Sequence, residues 1–137
     1  MKTSAKPMLI LTLRTDKPES EIGLFDDTKK MDYKIWTAHR QLAETIHNEI
    51  HELLKKHGWD WPDLKGLVVY SGPGSFTGLR IGLTVANTLA ESLSLPIIGE
   101  TGEQWLETGI KRINASENDQ LVLPQYGQEV HITAPKK

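Results

Sequence analysis

Residues 67–93 read LVVYSGPGSFTGLRIGLTVANTLAESL, and this stretch decides the fold. Leu67, Val68, Val69 and Tyr70 form an unbroken apolar run bounded by turn residues, the pattern of a strand buried on both faces, as in parallel sheets. That places it at the centre of a sheet. Gly72, Pro73 and Gly74 end the run, Ser75 or Thr77 is available to cap the free N–H groups that follow, and the spacing then turns helical.

Glycines between a strand and a helix N-terminus suit a phosphate, but the spacing here argues against one. A Walker loop has four residues between its glycines and then Lys-Ser/Thr, whereas Gly78 is followed by Leu79 and Arg80. After Gly72 and Gly74 the third glycine, Gly78, also falls one residue late for the dinucleotide fingerprint. The glycines read better as a structural turn.

The helix carries more information. On its wheel Asn87, Arg80, Glu91, Thr84 and Thr88 share one polar sector. The remaining arc, apolar or small throughout, spans about 200°, twice the stripe that a surface helix needs to cover one core. Within it Gly78, Gly82, Ala86 and Ala90 recur every four residues as a ridge of small side chains. Two covers fit that ridge: tight packing on the chain's own sheet, or a helix shared with a partner protein.

Outside this stretch, a chain of 137 residues, 38% hydrophobic and 25% charged, suits a single domain with a real core. Without cysteine there is no disulfide framework, thiolate nucleophile or Cys-based metal site. A net charge of −2 and a pI near 6.2 argue against holding RNA through a basic surface of its own. No apolar run approaches the ~18 residues of a membrane span, and no signal-peptide h-region opens the chain, so a cytoplasmic protein is expected.

Upstream, MLILTL (8–13), EIGLF (21–25) and KIWT (34–37) read as three strands with short connections, an antiparallel meander that the 67–70 strand joins. A first helix is expected over 38–57, with Thr37 as N-cap and Gly58 ending it. Leu42, Ile46, Ile50, Leu53 and Leu54 share one of its faces with Ala43, His39 and His57. His39 on that face reads as a packed or interfacial histidine, and His47 and His51, spaced for chelation but lacking a third ligand, as solvated surface residues. GWDWPDL (58–64) is a turn whose Trp59 and Trp61 pack under the helices. Downstream, 96–98 gives a short strand, and Thr101 with Gln104 suggests a capping box for a helix through Trp105, Leu106, Ile110 and Ile113. A polar loop (114–120), a short apolar segment (121–126) and an extended tail follow.

SGPGSFTGLRIGLTVANTLA (71–90) resembles the signature segment of the TsaB family, also called YeaZ, bacterial proteins needed to make the tRNA nucleoside threonylcarbamoyladenosine. The likeness runs in order and spacing from about Leu9 to Ile113 and is most specific over GPGSFTGLRIG (72–82). It implies an α/β fold: a single actin-like (ribonuclease H-like, ASKHA) domain over 1–113, with a mixed sheet of about five strands, the first three antiparallel, and helices on its faces. Residues 114–137 then stand as loop, short strand and extended tail where the family carries a second subdomain. In one respect the chain departs from the pattern. Where family members often read ILAIDTA, this chain reads ILTLRTD, so Arg14 replaces a carboxylate and Mg²⁺ coordination there is not possible. Asp16, two residues on, reads as a solvated turn aspartate.

The resemblance implies a non-catalytic scaffold subunit that binds and activates TsaD, the subunit that transfers the threonylcarbamoyl group to tRNA, with TsaE, an ATPase, joining them. It implies no catalytic residue, metal or cofactor, contact with tRNA only through the complex, and no membrane. Family members pair with TsaD or with themselves through their first two helices. The corresponding partner-binding residues here are His39, Leu42, Ala43, Ile46, Ile50, Gly78, Leu79, Gly82, Leu83, Ala86 and Ala90. The signature turn comprises Gly72, Pro73, Gly74, Ser75, Phe76, Thr77, Gly78 and Arg80. The alternative within the same fold is a nucleotide-binding hydrolase or kinase, disfavoured by Arg14 and the missing second lobe. A peptidase lacks an HExxH motif, a cysteine and a Ser-His-Asp set placed together.

Overall fold

The computed structural model describes residues 7–38 and 41–126. Three antiparallel strands, β1 (Leu9–Arg14), β2 (Glu19–Asp26) and β3 (Lys29–Thr37), lead into α1 (Leu42–Lys56). A 3-10 turn (Trp61–Asp63) precedes β4 (Gly66–Gly72), and α2 (Phe76–Leu93), β5 (Ile97–Thr101) and α3 (Trp105–Asn114) follow. The five strands form one mixed sheet in the order β3-β2-β1-β4-β5, with β4 parallel to both β1 and β5. This is the α/β actin-like arrangement expected from the sequence, and β4, buried along its whole length, is flanked by strands on both sides.

Strand alternation divides the core in two. Leu9, Leu11, Leu13, Leu67, Val69 and Ile97 pack on the face covered by α1 and α2, with Ile46, Ile50, Leu54, Leu83 and Leu89. Ile10, Val68 and Ile98 turn to the other face, where Trp105, Ile110 and Ile113 of α3 cover them.

Several boundaries differ from the sequence reading. β3 begins at Lys29 rather than Lys34, because an edge strand with exposed Lys29, Lys30 and Met31 shows no apolar alternation there. Thr37 ends β3 and caps no helix, while Gly58 (φ +80°) follows α1 in the left-handed conformation expected of it. The capping box at Thr101 and Gln104 is not formed: Thr101 closes β5, and Gln104 precedes α3 with no side-chain cap bond. A capping box does form at the 3-10 turn, where Trp61 N donates to Asp60 Oδ1 (2.8 Å) and Asp60 N to Asp63 Oδ2 (2.9 Å).

Residues 118–126 form no strand; they run as a strap beside β5. The N–H groups of Ile97 and Gly99 donate to the side chains of Asn118 (3.1 Å) and Asp119 (2.9 Å), and Asp119 N donates to Ile97 O (2.8 Å). Side chains thus take the ladder positions that a sixth strand would fill, and Pro124 carries no N–H with which to extend one. Arg112 clamps the strap's entry, donating to Asp119 (2.6 Å), Glu117 (2.7 Å) and Glu100 (2.8 Å). Those hydrogen bonds, Asp119 first, hold its guanidinium pKa well above the ordinary value.

Candidate docking interface

The turn after β1 is closed on itself. Arg14 Nε donates to Asp16 Oδ1 at 2.7 Å and Nη2 to Oδ2 at 3.2 Å, while the guanidinium carbon lies 3.9 Å from the centre of the Tyr70 ring. Asp16 is therefore not the solvated aspartate that its turn-rich surroundings suggested; it is 8% exposed, and Arg14 reaches back to cover it. Burial opposes the Arg14 charge, but the hydrogen bond to Asp16 and its field outweigh that, leaving the pKa raised. A carboxylate held on both oxygens by a guanidinium is a poor metal ligand. Among the described residues no three His, Asp or Glu side chains gather to hold an ion.

Thr15 seats the same turn against α2. Its hydroxyl donates to Gly78 O at 2.7 Å, and Ser75 N donates to Asp16 O at 3.3 Å. A methyl group at Gly78 would overlap the Thr15 carbonyl oxygen, and one at Gly82 the Thr15 hydroxyl. The lower half of the small-residue ridge is thus filled from within the chain. Ala86 and Ala90, 2% and 5% exposed, lie in the core with Leu83 and Leu89. On the far flank of α2 the Asn87 amide exchanges two hydrogen bonds with the Val122 backbone (2.9 and 3.0 Å). Apart from the half-buried Ile81 and Leu93, the wide apolar arc is covered by the sheet, α1, the Thr15 turn and the strap.

The signature turn leaves Pro73, Gly74, Ser75, Phe76 and Thr77 exposed. Ser75 stands at the N-cap of α2 without a side-chain cap bond. Gly72 (φ +132°) is required twice over, by its backbone angle and because a methyl group would overlap the Gln125 carbonyl oxygen. Phe76, 55% exposed, stacks on Tyr126 (centroids 4.7 Å apart) and has the Arg80 guanidinium 5.2 Å from its ring centre.

Between α1 and α2 lies an open groove of about 420 Å³ lined by Ala43, Phe76, Thr77, Arg80, Ile81, Thr84 and Val85. It adjoins a cleft of about 450 Å³ that shares Thr77 and Ile81 and reaches Asp16, Ser20 and Leu42. Of the sequence-derived partner-binding residues, Ala43 is exposed and Gly78 half-buried. Leu42, Ile46, Ile50, Leu79, Gly82, Leu83, Ala86 and Ala90 are buried within the chain, and His39 lies outside the described residues. Sequence reasoning does not select Ile81, Thr84 and Val85, which line the groove; Thr84 falls in the polar sector of the helix. Two histidines, His51 on α1 and His57 just after it, pack on the tryptophans of the turn that follows. His51 stacks on Trp61 (5.6 Å) with Nε2 3.2 Å from Asp60, and His57 stacks on Trp59 (5.5 Å) with Nε2 2.7 Å from Asp32.

The family model described as TsaD, tRNA N6-adenosine threonylcarbamoyltransferase, matches residues 36–115, which hold α1, the glycine turn and α2. Over 91 residues the chain is 52% identical to the tRNA threonylcarbamoyladenosine biosynthesis protein TsaB of Bacillus subtilis, covering 66% of this chain and 39% of that protein. The chain belongs to the TsaB (YeaZ) and TsaD family. The Escherichia coli TsaB is 30% identical over 114 residues, covering 80% of this chain and 47% of the relative. Two Pseudomonas aeruginosa structures share the fold at 24% identity. One is YeaZ (TM-score 0.58) and the other is described as similar to peptidase YeaZ (TM-score 0.63); each match covers 68% of this chain and 44% or 43% of theirs. The chain thus spans less than half the length of the TsaB relatives it matches. No helix among the described residues is long and apolar enough to cross a membrane.

Proposed function

We propose that this chain serves tRNA threonylcarbamoyladenosine synthesis as a non-catalytic scaffold lobe, and that it works by docking a TsaD-like subunit along the α1–α2 groove. The observation that carries the reading is the groove itself, flanked by α1 and α2 in a chain of the TsaB family, with Ala43, Ile81 and Phe76 presenting apolar surface beside the threonines of α2. Small residues at Ala43 and Thr84 let a second helix approach closely, and a stable complex of roughly 1,200–2,000 Å² is within reach of two helices per partner. The Arg14–Asp16 pair supports a non-catalytic role, since the end of β1 offers a neutralised carboxylate where a nucleotide-processing relative would need a free one. A TsaE-like ATPase would join the assembled pair, tRNA would be reached through the partner, and a homodimer would use the same helices.

Ala43→Arg tests this. Ala43 is exposed, so a long cation there leaves the core intact while blocking the groove. The variant should keep its circular dichroism spectrum and fail to retain the TsaD-like subunit in a pull-down. Cells relying on it should lose threonylcarbamoyladenosine from their tRNA, read by mass spectrometry. Unchanged capture by the folded variant would show that the groove is not the docking site.

A further inference from the structure

Among the described residues five large apolar side chains stand exposed: Met31, Ile35, Phe76, Leu121 and Leu123. Two of the five, Leu121 and Leu123, stand on the strap beside the Asn87 flank of α2, and Phe76 stands at the start of that helix, where Tyr126 at the end of the strap stacks on it. Leu121 and Leu123 are 61% and 62% exposed, and Val122 between them is 5% exposed. That alternation comes from the strap's anchorage. Val122 is bonded at both backbone groups to Asn87, its side chain lies where a methyl on Gly99 would fall, and Gln125 N donates to Ser71 O at 2.7 Å. The two leucines are therefore held outward by a backbone already fixed.

Their position on α2 matters. Asn87 and Ile81 lie roughly 120° apart on the helix at 100° per residue, with Arg80 and Thr84 between them. The strap thus flanks the exposed ridge of α2 on one side as the α1 groove flanks it on the other. The ridge itself is polar, and the groove alone offers little apolar surface for an interface that needs about 800 Å² from each partner.

We infer that the strap is the second half of the docking surface, and that Leu121 and Leu123 bury against the same TsaD-like subunit that α1 and α2 receive. This rests on the reading given under Proposed function, and continuity with that face across a single exposed helix is what selects the occupant. Because the strap is tied down in the free chain, its ordering cost is met before the partner arrives.

The test measures affinity of the full chain for the TsaD-like subunit by calorimetry, with urea unfolding of each variant alongside. Leu121→Ser/Leu123→Ser should bind at least ten-fold more weakly with an unchanged unfolding midpoint, since both side chains are largely in water. Val122→Ala should lower the midpoint, which separates a loosened strap from a lost contact. If Ala43→Arg abolishes binding while the leucine pair leaves it unchanged, the strap is no part of the interface and only this inference falls. Should neither variant affect binding, the groove reading falls and this inference with it. A wild-type homodimer on light scattering that the leucine pair dissociates, with affinity for the TsaD-like subunit intact, would assign the strap to a second copy and overturn the inference.

Discussion

Replacing Gly78 with alanine tests whether the β1–β2 turn is seated on α2. Gly78 lies in the first turn of an 18-residue helix, so helix propensity alone predicts a gain of about 1 kcal/mol. The packing predicts the opposite. The added methyl would overlap the carbonyl oxygen of Thr15, a backbone atom unable to swing aside as a side chain would. Overpacking of this kind costs about 3 kcal/mol at the upper end of its ordinary range. Displacing the turn also strains the hydrogen bond from the Thr15 hydroxyl to Gly78 O (2.7 Å), whose loss costs about 1 kcal/mol. After the propensity gain is subtracted, a net destabilisation of about 3 kcal/mol remains, or about 10 °C in Tm for a chain of this size. Urea titration followed by tryptophan fluorescence would measure it. Gly82→Ala supplies the internal control, because its added methyl meets the Thr15 hydroxyl and Thr15→Ala removes that group. A double-mutant cycle should therefore couple Thr15 strongly to Gly82 and weakly to Gly78. A Gly78→Ala protein as stable as the wild type, or more so, would refute the seating of the turn.

Two further predictions follow from ion pairs. Asp32 accepts contacts from His57 Nε2 (2.7 Å) and Lys56 Nζ (3.0 Å), which hold its carboxyl down at about 2 from an ordinary 3.8. A depressed native pKa adds stability above the unfolded value that fades as pH falls through the native one. Asp32→Asn should thus lower the urea midpoint at pH 7, with the gap closing between about pH 4 and pH 2; a gap independent of pH would count against the pairing. With Asp16 taken by Arg14, Mg²⁺-ATP should leave the Tm of the isolated chain unmoved and remain unhydrolysed. Ligand present at 100 times its Kd would stabilise the chain by about 2.7 kcal/mol, so a shift of several degrees would disprove this.

What the sequence disclosed depended on how locally each feature was encoded. β1 and β4 announced themselves because strands buried on both faces are apolar without interruption, and α1, α2 and α3 because their spacing is helical. β3 was shortened because its solvent-facing edge mixes lysines with Met31 and Asp32, a pattern that hides a strand. The candidate site was less legible. The small-residue ridge was visible, but its occupant, Thr15, lies some sixty positions upstream, and nothing in the spacing of α2 says that a turn rather than a helix fills it. Asp16 is hidden for a similar reason: its turn chemistry is that of a surface loop, whereas its burial comes from the Arg14 guanidinium and from Gly74 and Gly78, which lie far away in sequence. The strap was missed because its hydrogen bonds join Asn87 and β5 to backbone and side chains distant in sequence, with no periodicity of their own.

The two margins of the sheet meet the solvent differently, and the difference bears on how the protein behaves when crowded. At β5, Asn118 and Asp119 have already taken the N–H groups of Ile97 and Gly99, so a stray extended segment finds those donors occupied. At β3 the exposed ammonium groups of Lys29 and Lys30 confront an approaching copy of the same strand with like charge. A chain emerging from the ribosome would gain the first safeguard only after residue 119 has been made, since the plug follows β5 in the chain. Until then the β5 margin is open, and the nascent chain's exposure to templated aggregation is set by the interval between translating Ile97 and translating Asp119.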